Sequence, residues 1–107
     1  MKTQGRKRHI VRIQQPNYST IESGQSIITY SDFANGVFAD IKTISGYEQM
    51  KAGKLDAQVT HMVTINWRFG VLEKMRVLWG VRELNIVYIS EDDTHKREIY
   101  LYCKESK

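Results

Sequence analysis

Cysteine and proline are nearly missing from this chain: Cys103 and Pro16 stand alone among 107 residues. A single thiol rules out a disulfide framework and paired-cysteine zinc motifs. It fits a protein made and used in a reducing cytoplasm, because a secreted domain this small usually carries paired cysteines. With one proline and seven glycines there is no Pro- or Gly-rich linker, no low-complexity tract and no repeat. No apolar run approaches the ~18 residues that span a bilayer, so no membrane partner is expected. The first twelve residues lack the apolar segment of a secretory signal. Acids are absent from the first 21 residues, the first being Glu22.

That last absence explains the net charge of +4. Lys2, Arg6, Lys7, Arg8 and Arg12 supply five positive charges before any negative one. The other 11 basic residues face all 12 acidic ones, so the remainder of the chain carries −1. The basicity therefore belongs to one end, whereas a dedicated nucleic-acid binder carries its basic patch on the folded surface. Residues 1–8 are read either as a flexible solvated tail or as a segment that contacts acidic groups. With 41% hydrophobic and 26% charged residues, the composition is that of a globular protein. Its length suits a single domain over residues 1–107.

The strongest pattern runs from Val59 to Phe69. Val59, His61, Val63, Ile65, Trp67 and Phe69 alternate with Thr60, Met62, Thr64, Asn66 and Arg68. Period 2 over eleven residues predicts a strand with one face on a core. Similar alternation predicts strands around His9–Ile13, Val37–Ile41, Met75–Trp79 and Ile99–Cys103, with a further short one at Ile27–Tyr30. Leu84–Ile89 is more continuously apolar than the others, as in a strand covered on both faces. Asn35-Gly36 signals a turn and Gly80 a tight hairpin. Gly70 breaks the long strand, Glu91–Thr94 forms a polar connection, and Gln15–Gly24 reads as a polar loop. Ser45-Gly46-Tyr47-Glu48 has capping-box spacing, which predicts about two helical turns over Tyr47–Leu55. The expected fold is all-β and mainly antiparallel, a small barrel or sandwich of about six strands with one short helix or helical loop.

Residues arranged for chemistry are not found, and no catalytic, cofactor-binding or metal site is expected. His9, His61 and His95 are too scattered for a metal motif, and no phosphate-cradling or nucleophile-elbow glycine pattern occurs. His61 falls on a core face, where a hydrogen-bonded structural role is expected. Cys103 shares the inward register of Ile99 and Leu101, so it reads as a small hydrophobe. Tyr100 and Tyr102 lie on the opposite face of that strand and are available for contact, either with a protein neighbour or by stacking on bases.

With the strands placed, a resemblance emerges. The stretches that carry it are Arg12-Ile13-Gln14-Gln15, Phe38-Ala39-Asp40-Ile41, Ile44-Ser45-Gly46-Tyr47-Glu48, Thr60-His61, Ile65-Asn66-Trp67-Arg68, Met75-Arg76-Val77 and the run Arg97 to Glu105. In this order and spacing they resemble the bacteriophage head–tail joining proteins, also called head closure, stopper or head–tail adaptor proteins. Phe38 stands where that family often has tryptophan, Asn66 where arginine is common, and Ile44 lacks a preceding proline.

The resemblance implies a non-enzymatic virion protein, assembled in the host bacterial cytoplasm and located in the neck of a tailed phage. It implies a homo-oligomeric ring between the portal adaptor protein above and the tail completion or terminator protein below. That ring helps close the channel on packaged double-stranded DNA, which it contacts non-specifically. The loop spanning Gly46 to Ala57 would lie near the channel, with Gly46, Tyr47, Glu48, Met50, Lys51, Lys54 and Asp56 as candidates. Arg6, Lys7, Arg8, Tyr18, Tyr100 and Tyr102 are the candidate subunit or partner contacts. The alternative is a small-barrel nucleic-acid-binding module that uses the N-terminal basic cluster and the exposed tyrosines.

Overall fold

Alternating side chains become strands here because one face of each finds a common core. The computed structural model describes residues 7–44, 59–91 and 97–106. Within them lie β1 (His9–Thr20), β2 (Ser26–Thr43), β3 (His61–Asn66), β4 (Arg76–Trp79), β5 (Arg82–Glu91) and β6 (Glu98–Ser106). They form one antiparallel sheet in the order β1-β2-β3-β6-β5-β4, and β4 returns to β1 to close a barrel. The closing pairs are Arg12 with Leu78, Ile13 with Val77 and Gln14 with Arg76. Closure is the one arrangement that leaves such a sheet without edges. The interior is filled by aliphatic residues, most of them β-branched, among them Val11, Ile13, Val37, Ala39, Val63, Ile65, Val77, Leu84, Ile99 and Leu101, all buried. No helix occurs among the described residues, and the segment Tyr47–Leu55 lies outside them.

Because neighbouring strands are all antiparallel, the connections divide between the two ends of the barrel. The β1–β2, β3–β4 and β5–β6 connections leave from one end. The β2–β3 and β4–β5 connections and both termini leave from the other. Gly80 makes the expected hairpin: Trp79 pairs with Arg82, and Gly80 opens the two-residue turn with φ 65°. Only glycine enters that region without strain.

Several expectations change. The expected loop Gln15–Gly24 is mostly strand. β1 continues through Pro16 to Thr20 and pairs residue by residue with β2, down to Thr20 opposite Ser26. The turn itself is Ile21–Gln25, held by Ile21 N–H donating to the Gln25 carbonyl at 3.0 Å. Exposure on both faces removed the hydrophobic period that marks a strand, and the proposed short strand Ile27–Tyr30 is the first part of the much longer β2. Asn35-Gly36 is not a turn but a β-bulge inside β2. Val11 faces Val37 and Ile13 faces Ala34, so Arg12 alone opposes Asn35 and Gly36, with Gly36 at φ 67°. Positive φ serves a bulge as well as a turn. A second irregularity places Phe33 as an extra residue between Ala34 and Asp32.

The largely apolar run Leu84–Ile89 has a similar cause. Ile86 pairs with Cys103 and Tyr88 with Tyr102, which leaves Val87 as an extra residue. The bulge shifts the register by one, so Leu84 and Ile86 point inward before it and Ile89 packs on the core after it. Double-sided cover is not the reason. β3 spans six residues rather than eleven, and Phe69, expected on the core face, is 86% exposed. The strand ends at Asn66, and Phe69 falls in a turn with Gly70, which holds φ 96°.

Candidate functional site

The most distinctive surface is built by β1 and β2 beyond the barrel. β4 accompanies β1 only from Arg12 to Gln14, and β3 accompanies β2 only from Ala39 to Thr43. Past these points the two strands pair with each other alone, over six further residues of β1 or roughly 20 Å. The molecule consequently measures 51 Å along its long axis against 29 and 28 Å across. Tyr18 and Ile28 sit directly opposite each other on this arm, 63% and 52% exposed. Asn17 Nδ2 donates to Ser31 Oγ across the other face. Not one lysine or arginine occurs from Ile13 to Ile41.

A polar network braces the root of the arm against the barrel wall. Arg76 on β4 donates through Nε to Gln14 Oε1 at 3.0 Å and through Nη1 to Glu83 Oε2 at 2.7 Å. Its guanidinium lies 3.6 Å from the ring centre of Tyr30. Gln14, buried, donates from Nε2 to Asp32 Oδ1, and Arg12 approaches the same carboxylate at 3.5 Å. One planar cation thus ties β1, β2, β4 and β5 together, which a lysine at position 76 would not do. The arm is fixed before any partner arrives, so docking carries less ordering entropy.

The opposite end of the barrel holds the two points between which residues 45–58 run. Ile44 N–H donates to the Thr60 carbonyl at 3.0 Å, and Thr60 N–H to the Cys103 carbonyl at 2.8 Å. Thr60 Oγ1 accepts from Glu105 N–H at 2.9 Å and shares a hydrogen bond with His61 Nδ1 at 2.8 Å. His61 is therefore a buried, hydrogen-bonded wall residue, as expected. At this end Trp79 stands edge-on to His9 at 5.1 Å and to His61 at 6.2 Å, with Arg82 stacked over it at 4.3 Å. Arg82 in turn clamps Glu105 through Nε and Nη2, both at 2.8 Å.

The anticipated contact residues are distributed unevenly. Gly46, Tyr47, Glu48, Met50, Lys51, Lys54 and Asp56 lie outside the described residues, as does Arg6. Lys7 is buried, its side chain 1% exposed, in an ion pair with Glu98 of β6. At this position the chain is folded against the barrel rather than solvated. Arg8 is exposed. Tyr18 is on the arm. Tyr100 and Tyr102 are half-buried on the outer face: Tyr100 Oη donates to Glu98 Oε1, and Tyr102 stacks on Tyr88 at 5.6 Å. Partial burial, then the neighbouring Tyr88, raises the Tyr102 hydroxyl above its ordinary pKa. Cys103 is buried and its thiol is pushed up to about 12 by desolvation, the opposite of an activated nucleophile. Among the described residues no cluster of His, Cys, Asp and Glu is fit to hold a metal ion.

The sequence reading missed the arm, the Arg76 brace and the exposed cross-strand pair Ile10–Phe38. The signal for the arm was present: β-branched and aromatic residues at Ile27–Tyr30 across a Ser23-Gly24 turn from Tyr18–Thr20.

Comparisons with known proteins agree with this architecture. The family model described as phage head completion protein matches residues 2–106. Among solved structures, the chain is similar to protein SF1141 from Shigella flexneri 2a, known from a solution structure. The TM-score is 0.76 at 22% identity, over 95% of this chain and 95% of that one. At that identity the likeness speaks for the fold alone. No curated protein matches the chain.

Proposed function

The chain belongs to the phage head completion protein family, and from that premise we propose that it forms the ring joining the portal and its adaptor to the tail. Membership makes it a structural, virion-associated protein that interacts with other phage head and tail proteins. The finer reading is a homo-oligomeric ring in the neck, assembled in the host cytoplasm, whose Gly46–Ala57 loop faces the DNA channel and helps retain the genome.

One observation carries this reading. The arm and the chain on either side of residues 45–58 leave the closed barrel at opposite ends. A joining protein needs two separate contact regions on one rigid body, and a closed barrel supplies that body without offering edges of its own. The charge balance is consistent. Duplex DNA carries about one charge per 1.7 Å, and each neutralised phosphate adds salt-dependent affinity. A loop that mixes Glu48 and Asp56 with Lys51 and Lys54 touches DNA without trapping a genome that must later pass.

The decisive experiment removes the gene from the phage and supplies it in trans. Full heads without joined tails, rescued by the wild-type gene, are expected; normal tail joining in its absence overturns the reading. Charge reversal at Lys51 and Lys54 is expected to alter genome retention or release, and unchanged behaviour removes the channel assignment. The nucleic-acid-module alternative gains no support, since Lys7 is spent on Glu98 and Tyr102 on Tyr88. Titrations at two salt concentrations separate the two readings: weak binding to free DNA is expected here, and tight, steeply salt-dependent binding favours the alternative.

A further inference from the structure

We propose that the outer edge of β2, from Ser26 to Asp32, is a strand-addition site for an extended, uncharged segment of a neighbouring, different virion protein; this rests on the neck reading above. Among the described residues no strand pairs with this edge, because β3 joins β2 only from Ala39 onward. The direction of its main-chain groups follows from Pro16. In an antiparallel ladder, residue pairs alternate between those that exchange hydrogen bonds and those whose groups point away. Pro16 faces Tyr30 and has no N–H, so this pair is of the second kind. By alternation, the main-chain groups of Ser26, Ile28 and Tyr30 point away from β1, toward open solvent.

The two edges of the arm differ. Pro16 blunts that of β1, whose outward groups lie at Pro16, Tyr18 and Thr20. From Ser26 to Ser31 the edge of β2 carries none of the usual guards, the first charge being Asp32, which is held by Gln14 and Arg12. Ser26-Ile27-Ile28-Thr29-Tyr30-Ser31 has no charge and no proline, and the bulges begin only at Phe33. Such a β-branched, uncharged edge is a standing template for another chain. A second copy is a poor occupant. Two β2 edges meeting antiparallel make a two-fold contact that closes at two subunits, and pairing with a neighbour's β1 edge meets Pro16. Nucleic acid is a poor occupant: no cation occurs from Ile13 to Ile41, and the two that approach this stretch from outside, Arg12 and Arg76, are engaged by Asp32 and by Gln14, Glu83 and Tyr30. An added strand would gain main-chain bonds from Ile28 and Tyr30. It would place one apolar side chain beside Ile28 and Tyr18, which are exposed on the same face.

The test uses particles lacking the gene, supplied in trans with wild type, Ile28→Val or Ile28→Pro. Ile28→Pro deletes one outward N–H and leaves the β1 ladder intact. At least a tenfold drop in tail-joined particles is expected for Ile28→Pro, with Ile28→Val at the wild-type level. Equal joining by Ile28→Pro overturns the proposal. Should purified Ile28→Pro fail to fold, hydrogen exchange of the wild-type chain decides. The Ile28 and Tyr30 amides must slow at least tenfold in assembled particles relative to the free chain, and unchanged exchange overturns the assignment. Protection of these amides in the purified chain alone, with a dimeric mass, makes a second copy the occupant and overturns the choice of partner. If tails join without the gene at all, the neck reading fails, and the same exchange measurement on heads still decides the fate of the edge.

Discussion

Lys7 provides the sharpest test of where the folded domain begins. Its side chain is 1% exposed and pairs with Glu98, whose side chain is 15% exposed. Lys7→Met keeps most of the buried stem but leaves the carboxylate without its cation. Removing one partner of a buried pair costs about 3–5 kcal/mol, because the remaining charge stays desolvated. Glu98 keeps some contact with water, so the lower limit applies, about 3 kcal/mol. Unfolding entropy scales at about 2.1 cal/mol/K per residue, so each kcal/mol shifts the midpoint of a chain this long by about 4–5 °C. A fall of roughly 13 °C is expected. Urea denaturation followed by fluorescence of Trp67 and Trp79 should show the same loss with an unchanged slope. Glu98→Gln alone is expected to cost at least as much, since it strands the more deeply buried ammonium. The Lys7→Met/Glu98→Gln double variant should recover about 2 kcal/mol of the summed losses. A shift within ~0.5 kcal/mol for Lys7→Met, the size expected of Lys74→Met on an exposed connection, would refute the packed N-terminus.

Arg76→Met removes the hydrogen bonds to Gln14 and Glu83 and the stacking on Tyr30; it should cost about 2 kcal/mol and speed amide exchange in the arm. Gly36→Ala, at φ 67° with open space around the new Cβ, should cost about 1 kcal/mol in denaturant titrations. Gly70→Ala should cost more in the same titrations. It holds φ 96° and its Cβ would approach Phe33 Cζ to 3.1 Å; equal losses at the two glycines would contradict that packing. Cys103 should resist thiol reagents at pH 8 until the protein unfolds. Its folded pKa, about 12, lies above the ordinary 9.0, so the neutral thiol favours neither state below pH 9. Between 9 and 12 ionisation favours the unfolded chain and stability falls as pH rises. Cys103→Ala should show a shallower alkaline decline than wild type, and identical slopes would refute the assignment.

Much of the barrel was legible because its walls obey period 2: Val63 and Ile65, Val77, Ile99, Leu101 and Cys103 all point inward as their spacing requires. Reading failed where the rule is broken by an extra residue. The bulge at Val87 imitated a fully covered strand, and that at Asn35-Gly36 imitated a turn, since both leave the same local trace in sequence. It failed again on the arm, where both faces meet water and no hydrophobic period survives.

The sequence by itself determined the all-β class, the inward set of side chains, the hairpin at Gly80 and the family. Each of these depends on local spacing or on the order of short motifs. Closure of β4 onto β1, the reach of the arm beyond the barrel, and the burial of Lys7 against Glu98 were decided by tertiary structure alone. They join residues as far apart as positions 7 and 98. No periodicity records which distant strand will supply a partner, because that choice depends on how bulges and barrel shear bring the strands into register.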